Sequence, residues 1–325
     1  MTIKIKNTRF RAYQLGNAGS SFSYFDGDFF TLIEARLTEL NSVSIDAELK
    51  ECGLSYINAL HITSWDLDHC SPKQLEQILV KYCPSKIEYP GYHPHTDAGE
   101  ESLKIIKAYK KRQSISDAKI ISVTPAYIKT LNSAENYGYN DIIYHPRFLD
   151  DTSSNDNSTV KHFRSGSFNV LSLGDVESNN IAAGLRRLST INKEVDVMIL
   201  AHHGADNGFT TSSFIKSVRP KIAIATANYD NKFDHPRQEI RDLLYEHDVK
   251  IFTTKTGDVI VKSIKGHKGH YKVENLISNS TNISSEYEFF AKKSDFLKNN
   301  QDAIRNMLIS IFLTCLLYTS PSPRD

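Results

Sequence analysis

Short apolar blocks recur along most of the chain, some alternating with polar positions and some continuous, with runs of helical spacing between them. Phe10 to Gly16 alternates as a strand, Asn17 to Ser21 is a turn of small residues, and Phe22 to Phe25 and Phe29 to Ala35 are extended again. Asp26-Gly27-Asp28 marks a hairpin between the last two, because Asp and Gly tolerate the positive dihedrals of tight turns. Ser44 to Cys52 reads as a short helix carrying Ile45, Ala47 and Leu49. Tyr56 to Ile62 is an apolar run that feeds Thr63 to His69, and Ser71 to Tyr82 has helical spacing. Lys86 to Tyr89 is a strand stopped by Pro90, and Ala98 to Arg112 is a helix with a solvated basic face at Lys107, Lys110, Lys111 and Arg112.

Between Ser114 and Ser158 the pattern weakens to short strands at Ile120 to Val123 and Ile142 to Tyr144, and the polar stretch Asp150 to Ser158 reads as a surface loop. Thr159 to Phe163 and Phe168 to Leu173 form a hairpin, followed by a helix over Asn179 to Leu188. The continuous apolar run Val195 to Ala201 then marks a strand buried on both faces. Helix, buried strand and helix follow at Ser212 to Val218, Lys221 to Ala227 and Arg237 to His247, with Pro236 expected in the first turn of the last. Lys250 to Thr254 and Asp258 to Ser263 complete the strands. The repeated order of strand, polar loop and helix predicts a single layered α/β domain over residues 1–265. Glu286 to Ile311 reads as an amphipathic helix with Phe289, Phe290, Phe296, Ile304 and Met307 on its apolar side, giving a helical extension over 266–312. Residues 313–325 resemble translated adapter read-through and are set aside as an artefactual tail.

Composition changes this picture little. The 325 residues are 40% hydrophobic and 24% charged, enough for a sizeable core, and the formal net charge of +1 gives no global pull toward nucleic acid or anionic membrane. A polyanionic substrate would have to be met by a local patch. Cys52, Cys70, Cys83 and Cys315 show no CxxC pairing, and Met1 to Arg11 alternates basic and polar residues without a signal-like apolar segment, so a reducing, cytoplasmic compartment is expected. The apolar stretch Met307 to Tyr318 is shorter than the about 20 residues a membrane span needs.

Candidate chemistry gathers at the ends of predicted strands. Asp66 and Asp68 occupy alternate positions beside His69, and would share one side if extended geometry persisted past Ile62. Carboxylate and imidazole donors in one place suit divalent cations. Helix capping would explain one carboxylate, not both with a histidine. Asp175 follows Gly174, whose missing side chain permits close approach, and His202, His203 and His235 lie just beyond later strands. His61, His145 and His162, each alone in its stretch, are expected to be core groups.

Thr63 to His69, Leu173-Gly174-Asp175, His202-His203-Gly204 and Asn228 through His235-Pro236, in that order, carry a resemblance. The chain resembles metallo-β-lactamase-fold hydrolases and, within them, is similar to ComEC-type competence hydrolase domains, whose motif is HxDxDH. Leu15 to Gly19 with Phe30 to Glu34 resembles the family's first hairpin, so the likeness covers roughly residues 9–263. It implies a four-layer αββα sandwich and a metal-dependent hydrolase that uses a metal-activated water, with a phosphodiester of a nucleic acid or nucleotide as substrate. Zn²⁺ is the implied cation and Mn²⁺ the alternative. Asp68, His69, Asp175 and one of His202 or His203 would hold one ion, with Asp66 helping to orient water or acting as base and His235 stabilising negative charge. Two departures stand out: Ser64 occupies the family's first histidine, and Glu34 an aspartate position. Asp66 and Asp175 remain for a second ion, completed by Ser64, water, or His93 or His95, so an oxygen-rich second site, a single-ion enzyme and a rebuilt site are all open. A degenerate member that binds a nucleotide or protein without turnover is the alternative from another class. A third reading is hydrolysis of carboxylic esters, amides or lactones.

Overall fold

Successive side chains of a strand point to opposite faces, and here the two faces belong to different cores. A computed structural model describes residues 6–112, 118–131, 140–264 and 269–294. The chain opens with β1 (Arg9–Ala12), β2 (Phe22–Phe25), β3 (Phe30–Ile33), α1 (Glu39–Glu51), β4 (Ala59–His61), α2 (Pro72–Tyr82), β5 (Lys86–Pro90) and α3 (Asp97–Arg112). It continues through β6 (Lys119–Val123), α4 (Pro125–Thr130), β7 (Ile142–His145), β8 (Val160–Phe163), β9 (Val170–Ser172), α5 (Asn179–Leu185) and α6 (Ser189–Glu194). Then come β10 (Val197–Ile199), α7 (Ser212–Val218), β11 (Ile222–Ala225), α8 (Gln238–Glu246), β12 (Lys250–Thr253), β13 (Val259–Ser263), β14 (His270–Leu276) and β15 (Ile283–Phe290).

One sheet has nine strands in the order β15-β14-β13-β1-β2-β3-β4-β5-β6, and the other has six in the order β12-β11-β10-β9-β8-β7. β1 lies between two antiparallel partners, with Arg9 opposite Phe25 on β2 and Lys262 on β13. Phe10, Phe22, Tyr24 and Val261 of the larger sheet meet Phe163, Val170, Val197 and Ile222 of the smaller one, forming the central core. On the outer face of the larger sheet, Leu32 and Leu60 pack on Ile45, Leu49, Leu75, Ile78 and Ile106 of α1 to α3. Met198, Ala223 and Ala225 turn the other way, toward Ile181, Phe214, Ile215 and Leu244 of α5, α7 and α8. The result is the expected four-layer αββα sandwich.

Local chemistry explains where boundaries moved. α1 begins earlier than its apolar spacing predicts, because Thr38 and Asn41 form a reciprocal capping box. α4 is set by Thr124 at the N-cap and Pro125 in the first turn, a signal that the weak periodicity of that region hid. Pro236 lies before the N-cap Arg237 and not within the first turn of α8. The helical extension from Glu286 is corrected: residues 283–290 form β15, antiparallel to β14, and both strands extend the larger sheet beyond residue 265. Tyr287 and Phe289 recur with period two, and β14 offers a pairing partner, which outweighs the looser helical spacing. Phe296, Ile304, Met307 and the tail lie outside the described residues.

Candidate metal centre

β4 of the larger sheet and β9, β10 and β11 of the smaller one send their following loops to one place. After β4 the chain does not stay extended: the amides of His69 and Cys70 both donate to the Asp66 carbonyl, at 2.9 and 2.8 Å. Asp66 and Asp68 therefore leave a turn in different directions, so the alternation argument for them fails. Arg36 fixes this turn by donating to the Leu67 carbonyl at 2.7 Å, to Gln74 at 2.8 Å and to Asn17 at 3.1 Å. The helix that follows has Ser71 as N-cap, so neither aspartate caps it. After β9, Gly174 has φ +57°, and a Cβ there would sit 2.9 Å from the Ser158 Cβ, so glycine lets Asp175 enter. After β10, His202 and His203 are both left-handed, at φ +45° and +56°, an uncommon conformation for bulky side chains that is found preferentially at functional sites.

Asp68, His69, Asp175 and His203 each present one donor atom within 4.8 Å of the others. Ligands at roughly 2.0–2.3 Å from one cation lie up to about 4.6 Å apart, close to the 4.8 Å that bounds this set. The histidines are oriented from behind. His69 Nδ1 lies 3.2 Å from Glu34 Oε1, and Glu34 itself accepts from Thr63 N at 3.0 Å and Thr63 Oγ1 at 2.5 Å. His203 Nδ1 is 3.1 Å from the Thr226 carbonyl, leaving Nε2 toward Asp68 Oδ2 at 3.2 Å. A carboxylate or carbonyl behind the ring nitrogen is how metal-bound imidazoles are held. His69 Nε2 is buried and 2.8 Å from Asp175 Oδ2, yet makes no aligned hydrogen bond. Two groups so close and not aimed at each other fit a shared cation.

Electrostatics point the same way. Burial pushes the His69 ring down, but Asp175, Glu34 and Asp68 outweigh it and hold its pKa well above the ordinary value. Burial raises the Asp68 and Asp175 carboxyls, and His69, with His203, more than reverses this. His203 is raised by its bond to Asp68 against the cost of burial. Protons on these rings and a divalent cation are competing answers to the same excess of buried carboxylate.

Three sequence-predicted residues fall outside this set. Asp66 Oδ2 accepts from Ser64 Oγ at 3.0 Å and Ser154 Oγ at 3.1 Å. His202 Nδ1 pairs with Glu177 Oε1. His235 stacks on His203 with ring centroids 6.2 Å apart, and burial followed by the neighbouring His203 and His202 pushes it down to about 4. Asp68, His202, His203, Asn228, Asn231 and His235 line a cavity of about 80 Å³ beside the donors. His93 bonds its neighbour's carbonyl and His95 stacks on Tyr92, and neither joins the donor set. Ser154 sits in the stretch read as a mere surface loop, Thr63 opens the first motif stretch without a role of its own, and Thr226 belongs to no motif.

The αββα layers with these donors at the strand ends define the metallo-β-lactamase type of fold. In sequence the chain is similar to ComE operon protein 3 of Bacillus subtilis, at 29% identity over 136 residues, 41% of this chain and 17% of that protein. It is also similar to competence protein ComA of Neisseria gonorrhoeae, at 31% identity over 58 residues, 18% of this chain and 8% of that protein. The matches thus span less than a fifth of the length of these curated relatives. No protein-family model matches the chain. Among solved structures, Tm1679, a metal-dependent hydrolase of the beta-lactamase superfamily, aligns with a TM-score of 0.43 at 10% identity, covering 79% of this chain and all of that one. Among the described residues no helix is long and apolar enough to cross a membrane.

Proposed function

We propose that the protein is a divalent-metal-dependent hydrolase of phosphodiester bonds, in a nucleic acid or a nucleotide. The observation that carries this reading is the convergence of Asp68, His69, Asp175 and His203, with the buried His69 Nε2 close to Asp175 but not aligned with it. A divalent cation held there would supply Lewis acidity and lower the pKa of bound water to about 7, which makes hydrolysis the natural reaction class. Glu34 keeps the His69 ring turned inward, and the Thr226 carbonyl does the same for His203. Asp66, whose Oδ2 accepts from two hydroxyls, is the carboxylate that orients an attacking water and takes its proton. His235, on the wall of the cavity, is the group that meets negative charge on the substrate. The likeness to ComEC-type competence domains supports a phosphodiester over a carboxylic ester.

The test is elemental analysis of the purified protein beside hydrolysis of a generic phosphodiester, for wild type and for Asp68→Ala with His69→Ala. Wild type is expected to carry ion and activity, and the double variant to lose both, with a rate loss of about 1000-fold or more for several kcal/mol of charge stabilisation. A wild type that stays metal-free and inert after reconstitution with Zn²⁺ and Mn²⁺ overturns the reading in favour of a binding protein. Ser64, in a position the family fills with histidine, is the residue that would then mark the lost site.

A further inference from the structure

We propose that the centre holds one ion per chain, and that a hydroxyl set of Ser64, Tyr92 and Ser154 around Asp66 stands in place of a second. This rests on the metal-dependent reading above. Asp66 and Asp175 are the carboxylates left for a second cation by the family resemblance, and one oxygen of Asp66 is already engaged by two protein hydroxyls. Its Oδ2 accepts from Ser64 Oγ at 3.0 Å and from Ser154 Oγ at 3.1 Å. Ser64 is fully buried and its Oγ lies 3.1 Å from the Tyr92 hydroxyl. That hydroxyl also accepts from Trp65 N at 3.1 Å, and Trp65 Nε1 donates to the Tyr92 carbonyl at 3.0 Å.

Two neutral hydroxyl donors on one carboxylate oxygen do the work a cation would otherwise do, and leave that oxygen turned toward them. A neutral serine hydroxyl is not among the usual protein ligands of zinc, which are thiolate, imidazole and carboxylate. His93 and His95, the nearest candidates by sequence for rebuilding the site, are exposed and join no convergent donor group among the described residues. Among the described residues Asp66 and Asp175 form no second convergent group with a third histidine, cysteine or carboxylate, whereas catalytic sites of this kind present three protein ligands. One consequence is chemical. A single ion cannot clamp both the attacking and the leaving oxygen, as paired ions do, so the leaving oxygen falls to protein groups such as His235 and to solvent.

The experiment is ion stoichiometry, by titration calorimetry and by elemental analysis after equilibrium dialysis, with Zn²⁺ and with Mn²⁺. Wild type, Asp66→Asn, Ser64→Ala and the paired substitution Ser64→His with Asp66→His are compared. One ion is expected for wild type, Asp66→Asn and Ser64→Ala alike, and two for the paired histidine variant, which supplies the missing donors. Two ions in wild type overturn the proposal, as does loss of the single ion in Asp66→Asn while folding, followed by circular dichroism, is intact. No ion in wild type would instead remove the metal-dependent reading itself. Should the paired variant fail to fold, the stoichiometries of wild type and Ser64→Ala still decide.

Discussion

His61, the last residue of β4, and His69, in the loop that leaves it, are both buried and both lie against a glutamate, yet their surroundings drive them in opposite directions. His61 Nδ1 is 2.9 Å from Glu88, but Glu88 is also met by Lys161 at 2.7 Å and Lys86 at 2.5 Å. Burial, reinforced by Lys161, pushes the His61 ring down and favours its neutral form. His69 faces Glu34, Asp68 and Asp175, with no lysine or arginine paired to it among the described residues, and its pKa is driven up. The first cluster meets its one carboxylate with two ammonium groups, so no negative charge is left over, and it is a piece of architecture between the sheets. The second keeps a surplus of negative charge that only protons or a cation can settle. Donor type alone does not separate a core histidine from a ligand; the sign of the local charge imbalance does.

Substitutions can break this contrast from either side. The largest effect is expected from Glu88→Ala, which strands buried Lys161 and should cost about 3–5 kcal/mol in urea unfolding while leaving ion content unchanged. Unchanged stability, or loss of the ion, would erase the distinction between the clusters. Next comes Glu34→Gln, which removes the charge behind His69; chelator competition should show metal affinity falling about 10- to 100-fold, with the fold retained. The mildest probe is acid. Burial raises the Glu88 carboxyl, but Lys161 and His61 outweigh it and hold it well below its ordinary 4.5. Its stabilising contribution is therefore full above about 4.5 and is lost as pH falls through the depressed value. Wild type should lose stability more steeply than Glu88→Gln below that point, and equal slopes would show the network to be unimportant.

Much of the molecule was legible because each strand carries its own apolar signature and ends in a short polar motif. Phe22 to Phe25 and Ser212 to Val218 match their elements at both ends. The donors Asp68, His69, Asp175 and His203 were visible for the same reason, as polar residues placed directly after buried runs. What stayed hidden was direction. Nothing in Ser64 to His69 announces that the chain turns at Asp66, so period-two reasoning put two aspartates on one side. His202 and His203 differ only in which way a left-handed backbone throws the ring. The groups behind the donors, Thr63 through Glu34 for His69 and Thr226 for His203, and Ser154 on Asp66, have common side chains, so only the folded chain brings them into view. β15 was misread because aromatic residues near one another fit a helix face as readily as a strand until a pairing partner is known.

The place of β1 between β2 and β13 also sets a timetable. Its first edge can zip to β2 almost as soon as the hairpin forms, but the second waits for the stretch opposite Arg9 to Ala12, roughly 250 residues later. At about 5–20 residues per second of synthesis, that edge stays open for about 12 to 50 s, a ready template for pairing with another chain. Arg9 and Arg11, two charges on a four-residue strand, are the kind of residue that discourages such pairing while the chain is unfinished. Once β13 arrives, the same arginines close onto Glu48 and Asp258, at 2.6 and 2.7 Å, so what guards the nascent edge becomes a lock on the finished sheet.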